Sequence, residues 1–227
     1  MDLDIVVRGI TAGSLYALVA VGFNILYRPT NVFNFAQGDL VMLGAMIAAS
    51  LLGQFGLSWY VAAALAMLAV AAIALLEERI AVAPVLRRSA TGSSWVITTL
   101  AVSLIITNLV GHVWGPDPLS LKPPPLLSTE TFEVLGAQLS TYHVALVAIA
   151  ALLVLGIERF YRTTAGKAVL AVAEDRDAAL LRGIDPERLS RWSFVIGGAL
   201  AALTGVLAAP LLYASTGLGP SPPPRSP

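Results

Sequence analysis

The sequence has no cysteine, only two histidines and few charges. Without cysteine there is no disulfide, no thiol nucleophile and no thiolate metal site, although a membrane bundle needs no such staples and the absence says little of compartment. His112 and His143 have no second ligand at metal spacing and read as interfacial or packing residues, so neither a metal nor a cofactor is expected. The phosphate-cradling loop G-x-x-x-x-G-K-[ST] is missing too. Ala165-Gly166-Lys167 lacks its upstream glycine, and ATP hydrolysis has to be left to another protein. No catalytic residue is expected. Charged residues make up 12% of the 227, about half the share in a soluble domain, while 57% are apolar and the mean hydropathy is +0.79. That balance places the chain in lipid.

Segments 5–27, 57–76, 95–114, 142–157 and 192–213 are apolar and long enough to cross a hydrocarbon core of about 30 Å as helices. The run 40–52 would reach only about 20 Å at 1.5 Å per residue, and spans only by recruiting 33–39. The prediction is an all-α polytopic membrane bundle of about six spans, the second short or broken. The first span should be retained, since its leader is acidic and no small-residue cleavage site follows it.

Between the first two spans lies a polar, turn-forming run at 28–39. Non-helical backbone at membrane depth survives only against protein or a water-filled cavity, so this run is a candidate border of a transport path. It brings Asn31, Asn34, Gln37 and Asp39 toward the membrane. An Asp at the bilayer centre costs about 2.5–3.5 kcal/mol. Asp39 is therefore expected near an interface or facing a wet interior, at the start of the second helix, where it complements the helix dipole. The alternative is a loop that only caps that helix. Asn24, late in the first span, joins the candidates because its own helix cannot satisfy an amide. Thr99, Ser103 and Thr107 form a hydroxyl stripe on the fourth span, with Asn108 beside it; the stripe either lines a pore or bonds its own i−4 carbonyls.

Lys and Arg set the orientation. Arg79, Arg87 and Arg88 lie between the third and fourth spans, and seven bases from Arg159 to Arg191 lie between the fifth and sixth, so both segments are expected in the cytoplasm. The loop 115–141 should face outward, which leaves the N-terminus extracytoplasmic. Apart from Asp39, no acid is expected inside a span. Small residues at four-residue spacing, Gly9 and Gly13 in the first span and Gly197, Ala201, Gly205 and Ala209 in the last, predict close helix packing within the chain or against another subunit. Within the segment 162–191, the stretch 174–183 reads as a short helix with acids in its first turn and glycine at its end. Asp185 and Pro186 then restart a helix as N-cap and first residue.

Residues 13–27 (GSLYALVAVGFNILY) and 31–45 (NVFNFAQGDLVMLGA) closely resemble the LivH-type permeases of bacterial branched-chain amino acid ABC importers. The likeness continues through 95–108, 113–116, 162–168 and 171–175, so it covers nearly the whole chain, and the Asn-Phe-Ala-x-Gly-Asp element is its specific part. It implies a subunit of the inner membrane working by alternating access. The implied partners are a second permease subunit, two ATPase subunits, an extracytoplasmic binding protein for leucine, isoleucine or valine, and membrane lipid, with no nucleic acid. Asp177-Ala178-Ala179 and Gly183 resemble the pattern by which such permeases dock their ATPases, Asp replacing the usual Glu. This implies that Glu174, Asp175, Asp177, Ala178, Ala179, Arg182, Gly183 and Asp185 form the coupling element. Two departures stand out: many relatives have His at the position of Gln37, and the Pro-rich stretch 217–227 stands where relatives continue into further spans. The expected organisation is a permease domain over 1–216 and a disordered tail. The alternatives are a truncated, non-transporting fragment, or the same machinery carrying urea, short amides or other amino acids.

Overall fold

The computed structural model describes residues 3–88, 94–115, 121–127, 132–134 and 137–216. The tail expected over 217–227 lies outside them, as does part of the outward loop. Helices α1 (Leu3–Thr30), α2 (Gln37–Gly53), α3 (Trp59–Glu77), α5 (Ser94–Trp114), α6 (Thr141–Tyr161) and α9 (Pro186–Thr216) are joined by the shorter α4 (Ala83–Arg88), α7 (Thr164–Glu174) and α8 (Arg176–Leu181). Five helical stretches are long and apolar enough to cross a membrane, and α2 is a shorter apolar helix beside them. Its 17 residues reach about 25 Å, short of the roughly 30 Å core. The bundle is thus polytopic and helical with a short second member, as the hydropathy predicts. The one extended pairing among the described residues is a hairpin between α5 and α6, β1 (Phe132–Val134) antiparallel to β2 (Ala137–Leu139), Phe132 opposite Leu139.

α9 is the hub, with α1, α2 and α3 all packed along it. Lipid tails are as apolar as leucine, so the contact relies on close approach and small residues. A Cβ on Gly205 would strike the Val41 carbonyl oxygen, and one on Gly44 would strike Ala202. A Cβ on Gly197 would come within 2.8 Å of Leu26, and one on Gly198 within 2.6 Å of Ala74. Ala201 and Ala209 are buried on the same helix. Gly9 and Gly13, by contrast, face outward with nothing within 4 Å of a built Cβ. The small-residue pattern of α1 is therefore unused among the described residues, while that of α9 builds the core.

The third span does not end at Leu76. It runs on through a π-helical turn, Glu78–Val82, into α4, so Arg79 to Arg88 continue a helix where a loop was expected. This overturns the expectation that Asp39 is the one acid inside a span. Glu77 and Glu78 are both buried within the extended helix, and α9 supplies a partner to Glu78. Ser190 Oγ donates to Glu78 Oε1 at 3.0 Å.

Candidate functional site

α1 stops where its last turn runs short of donors and the chain turns left-handed. Pro29 has no N–H to offer Ile25. The Thr30 hydroxyl donates to the Leu26 carbonyl at 2.6 Å, and Asn31 takes φ +55° as its N–H closes on the Tyr27 carbonyl at 2.7 Å. Asn tolerates that conformation better than other side-chain-bearing residues and serves here as the helix terminator. The polar run therefore begins three residues later than expected, at Asn31, since Arg28 to Thr30 still belong to α1.

From Asn31 to Ala36 the backbone is non-helical, and side chains take over its hydrogen bonds. Val32 N–H donates to Thr30 Oγ1 at 3.2 Å, and Ala36 N–H to Asn34 Oδ1 at 2.9 Å. Asn34 and Gln37 are fully buried, and Val32 and Ala36 plug the hydrophobic core between them. Phe33 and Phe35 point the other way, half exposed. Phe33 packs on Tyr27 with ring centroids 4.7 Å apart, and Phe35 stacks on Trp95 at 6.5 Å. Gln37 threads between helices: its Nε2–H donates to the Gly197 carbonyl at 3.4 Å, and a Cβ on Gly22 would come within 2.7 Å of that nitrogen. Glycine at 22 makes room for an amide between α1 and α9, and the Gly197 carbonyl accepts its hydrogen bond.

Asp39 sits in the first turn of α2 but does not cap it. The N-cap is Ala36, which makes no side-chain cap bond, and Asp39 Oδ1 instead accepts the Thr107 hydroxyl of α5 at 3.0 Å. Thr107 lies about 20 Å along α5 from Ser94, two-thirds of the way through a 21-residue helix. A carboxyl is thereby held within the span. Several buried polar atoms of the same elements lack hydrogen bonds: Asn34 Nδ2, Gln37 Oε1, both Glu77 oxygens and Glu78 Oε2. Asn34 and Asp39 are near enough to Glu77 to act on it electrostatically, though neither it nor Asn34 Nδ2 makes a hydrogen bond of normal geometry. Such orphaned groups are rare in a well-packed interior and mark a site needing explanation. Glu77 was missed in sequence because it stands at the edge of an Arg-containing stretch. The signal available was helical spacing, as Glu77 continues the small-residue face of Ala66, Val70 and Ala74.

The other path candidates scatter. Asn24 and Asn31 are exposed, Ser103 is half-buried, and Thr99, fully buried, donates to the Trp95 carbonyl of its own helix at 3.0 Å. Asn108 likewise donates to Leu104 at 2.7 Å. Of the hydroxyl stripe, only Thr107 reaches another helix through a side-chain hydrogen bond among the described residues.

At the basic end, α7 is an amphipathic helix not foreseen in sequence. Thr163 caps it by accepting from Gly166 N–H at 3.2 Å, and Val169 and Val172 are its buried residues. Glu174 ends α7 instead of opening the next helix, and Asp175 is the N-cap of α8, its Oδ1 accepting from Asp177 and Ala178 N–H at 3.0 and 2.9 Å. Ala179 is buried. Gly183, at φ +81°, turns the chain, and the Ile184 N–H returns to the Ala179 carbonyl at 3.1 Å. Asp185 then caps α9 by accepting from Glu187 and Arg188 N–H, and Pro186 is its first residue, as expected. α8 is thus fixed at both ends while Asp177, Ala178 and Arg182 are exposed and Leu181 is 89% exposed.

Residues 5–219 match the family described as branched-chain amino acid transport system / permease component. The chain is 32% identical over 213 residues to the high-affinity branched-chain amino acid transport system permease protein LivH of Salmonella typhimurium, covering 88% of this chain and 68% of that one. It is 31% identical over 213 residues to the LivH of Escherichia coli, with the same coverage. It is 30% identical over 218 residues to the permease protein BraD of Pseudomonas aeruginosa, covering 90% of this chain and 70% of that one. No solved structure matches it.

Proposed function

Because this chain belongs to the family of branched-chain amino acid transport permease components, we propose that it is the membrane-spanning permease subunit of an ATP-driven importer that moves branched-chain amino acids by alternating access. The observation that carries the reading is the break at Asn31 to Ala36 together with the Asp39 carboxyl held on α5 inside the span. A carboxylate at that depth is costly against lipid, and is retained where it faces a wet path or a partner. In this reading Asn34, Gln37, Asp39 and Thr107 shape the path, and the buried Glu77 belongs with them. The hydrophobic substrate meets the half-exposed Phe33 and Phe35.

The basic end faces the cytoplasm in this proposal, and the N-terminus faces outward. α8, capped at both ends and presenting Leu180 and Leu181 outward, is the docking element for the ATPase subunits; a rigid helix transmits displacement where a loose loop absorbs it. The exposed Gly9 and Gly13 of α1 provide a flat strip for the second permease subunit. An extracytoplasmic binding protein delivers the substrate.

The test is uptake by membrane vesicles that carry this chain with its permease and ATPase partners and are supplied with binding protein. Labelled leucine is expected to enter only when ATP is hydrolysed on the ATPase side, and unlabelled isoleucine, but not urea, should compete. Uptake driven by an ion gradient without ATP would overturn the proposal, and competition by urea alone would overturn the substrate class.

A further inference from the structure

Three arginines line one cavity at the basic end of the bundle, with Glu78 and Glu187 beside it but outside its lining. This cavity of about 310 Å³ is lined by Leu75, Arg79, Arg188, Arg191, Trp192 and Val195. Arg79 comes from the π turn, and Arg188 and Arg191 from the first turns of α9, so the cluster joins two elements distant in sequence. Arg191 Nε donates to the Glu187 carbonyl at 3.2 Å, which leaves its terminal nitrogens unused among the described residues. Glu78, behind the π turn, feels the charge of Arg79 and Arg191 and offsets part of it; one of its oxygens is already taken by Ser190.

The depth of the cluster follows from helix lengths. Arg79 stands 20 residues after Trp59 (79 − 59), about 30 Å along the helix, and Trp192 of α9 lines the same cavity. The Trp59–Arg79 distance equals the thickness of a hydrocarbon core, so Arg79 and the Trp192 beside it lie at one boundary. Trp192 is 56% exposed, as befits an amphipathic ring at the level of the headgroups. Leu75 and Val195 lie about one turn deeper. The cavity therefore has a cationic rim at phosphate depth and an apolar floor at acyl depth.

We propose that this cavity binds one anionic phospholipid, the Arg79, Arg188 and Arg191 guanidiniums holding its phosphate and the Leu75, Trp192 and Val195 surface holding the start of an acyl chain. Guanidinium groups pair with phosphate oxygens in bidentate fashion. A free phosphate satisfies only the rim; the apolar floor commits the site to a lipid.

The experiment uses the purified full chain in neutral detergent with equal amounts of phosphatidylglycerol and phosphatidylcholine, the retained lipid being counted by native mass spectrometry. Phosphatidylglycerol should be retained about tenfold or more over phosphatidylcholine. Arg188→Gln should cut that preference about fivefold, the effect of one basic residue near a charged surface. Lys167→Gln, an exposed charge on α7 outside the cavity, should leave it unchanged. Glycerol phosphate in excess should not displace the lipid. Equal retention of the two lipids overturns the proposal, and so does an equal loss in the Lys167 variant. Displacement by glycerol phosphate also overturns it, by showing an anion site indifferent to acyl chains. If Arg188→Gln fails to fold, the comparison of lipids on the wild-type chain decides alone.

Discussion

Replacing Asp39 with Asn separates a path role from a capping role. The variant keeps an oxygen for the Thr107 hydroxyl at 3.0 Å and removes only the charge. A hydrogen bond to a charged group contributes about 1.5–3 kcal/mol and a neutral one about 0.5–1.5 kcal/mol, so the bond weakens by about 1 kcal/mol. Asp39 also lies in the first turn of α2, where a carboxylate adds about 0.3–1 kcal/mol through the helix dipole. The combined loss, about 2 kcal/mol at most, is well below the roughly 5–15 kcal/mol that holds a domain folded. Membrane abundance should therefore stay near that of the wild type. Uptake should fall more than about tenfold, which requires only about 1.4 kcal/mol on the rate-limiting barrier. The assay pairs labelled leucine uptake with immunoblots of the membrane fraction. Abundance and uptake falling in proportion would show that the carboxylate serves α2, and unchanged uptake would remove Asp39 from the path.

Substituting Gly205 with Ala drives a methyl into the Val41 carbonyl, and overpacking of that kind should cost about 1–3 kcal/mol, read as a lower unfolding midpoint in detergent. Val at Gly9, which meets nothing within 4 Å, should leave that midpoint unchanged yet weaken co-purification with the second permease; a lowered midpoint would place Gly9 in this chain's own core. Leu181→Glu, at a site 89% exposed, should preserve folding and abolish cross-linking to the ATPase, and retained cross-linking would move the docking site off α8. Ser190→Ala leaves the buried Glu78 Oε1 without its donor and should destabilise by about 1–3 kcal/mol, whereas an unchanged midpoint would show that water replaces the hydroxyl.

Hydropathy made the spans legible because lipid imposes a minimum length of apolar helix. Turn chemistry made the start of α9 legible, since Asp185 acts through its own backbone neighbours. What was not legible depended on partners remote in sequence. Glu77 and Glu78 look like the polar end of a span, and only α9 and the Asn34 loop make the interior around them. Gln37 reads as a loop residue until Gly22 opens the gap it fills and the Gly197 carbonyl accepts from it. α7 was hidden because its amphipathic face packs on α1 and α6 and gives no long apolar run. Thr99 and Thr107 share one pattern, yet one bonds its own helix and the other reaches across to Asp39.

Residues 182–185 are all that separate α8 from the 31-residue α9, and Gly183 and Asp185 are both pinned in that connection. There is almost no slack. A thrust on α8 must tilt α9 like a crank arm, and the three helices leaning on it must swing too. α5 leans on α2 and the π turn instead and would lag the stroke. Spin labels on α5 and α9 should change their spacing between nucleotide states, and a constant spacing would rule the stroke out. The slippage then falls on the α2–α5 seam, where the Thr107–Asp39 and Trp114–Ser50 hydrogen bonds bridge the two helices and serve as the latch.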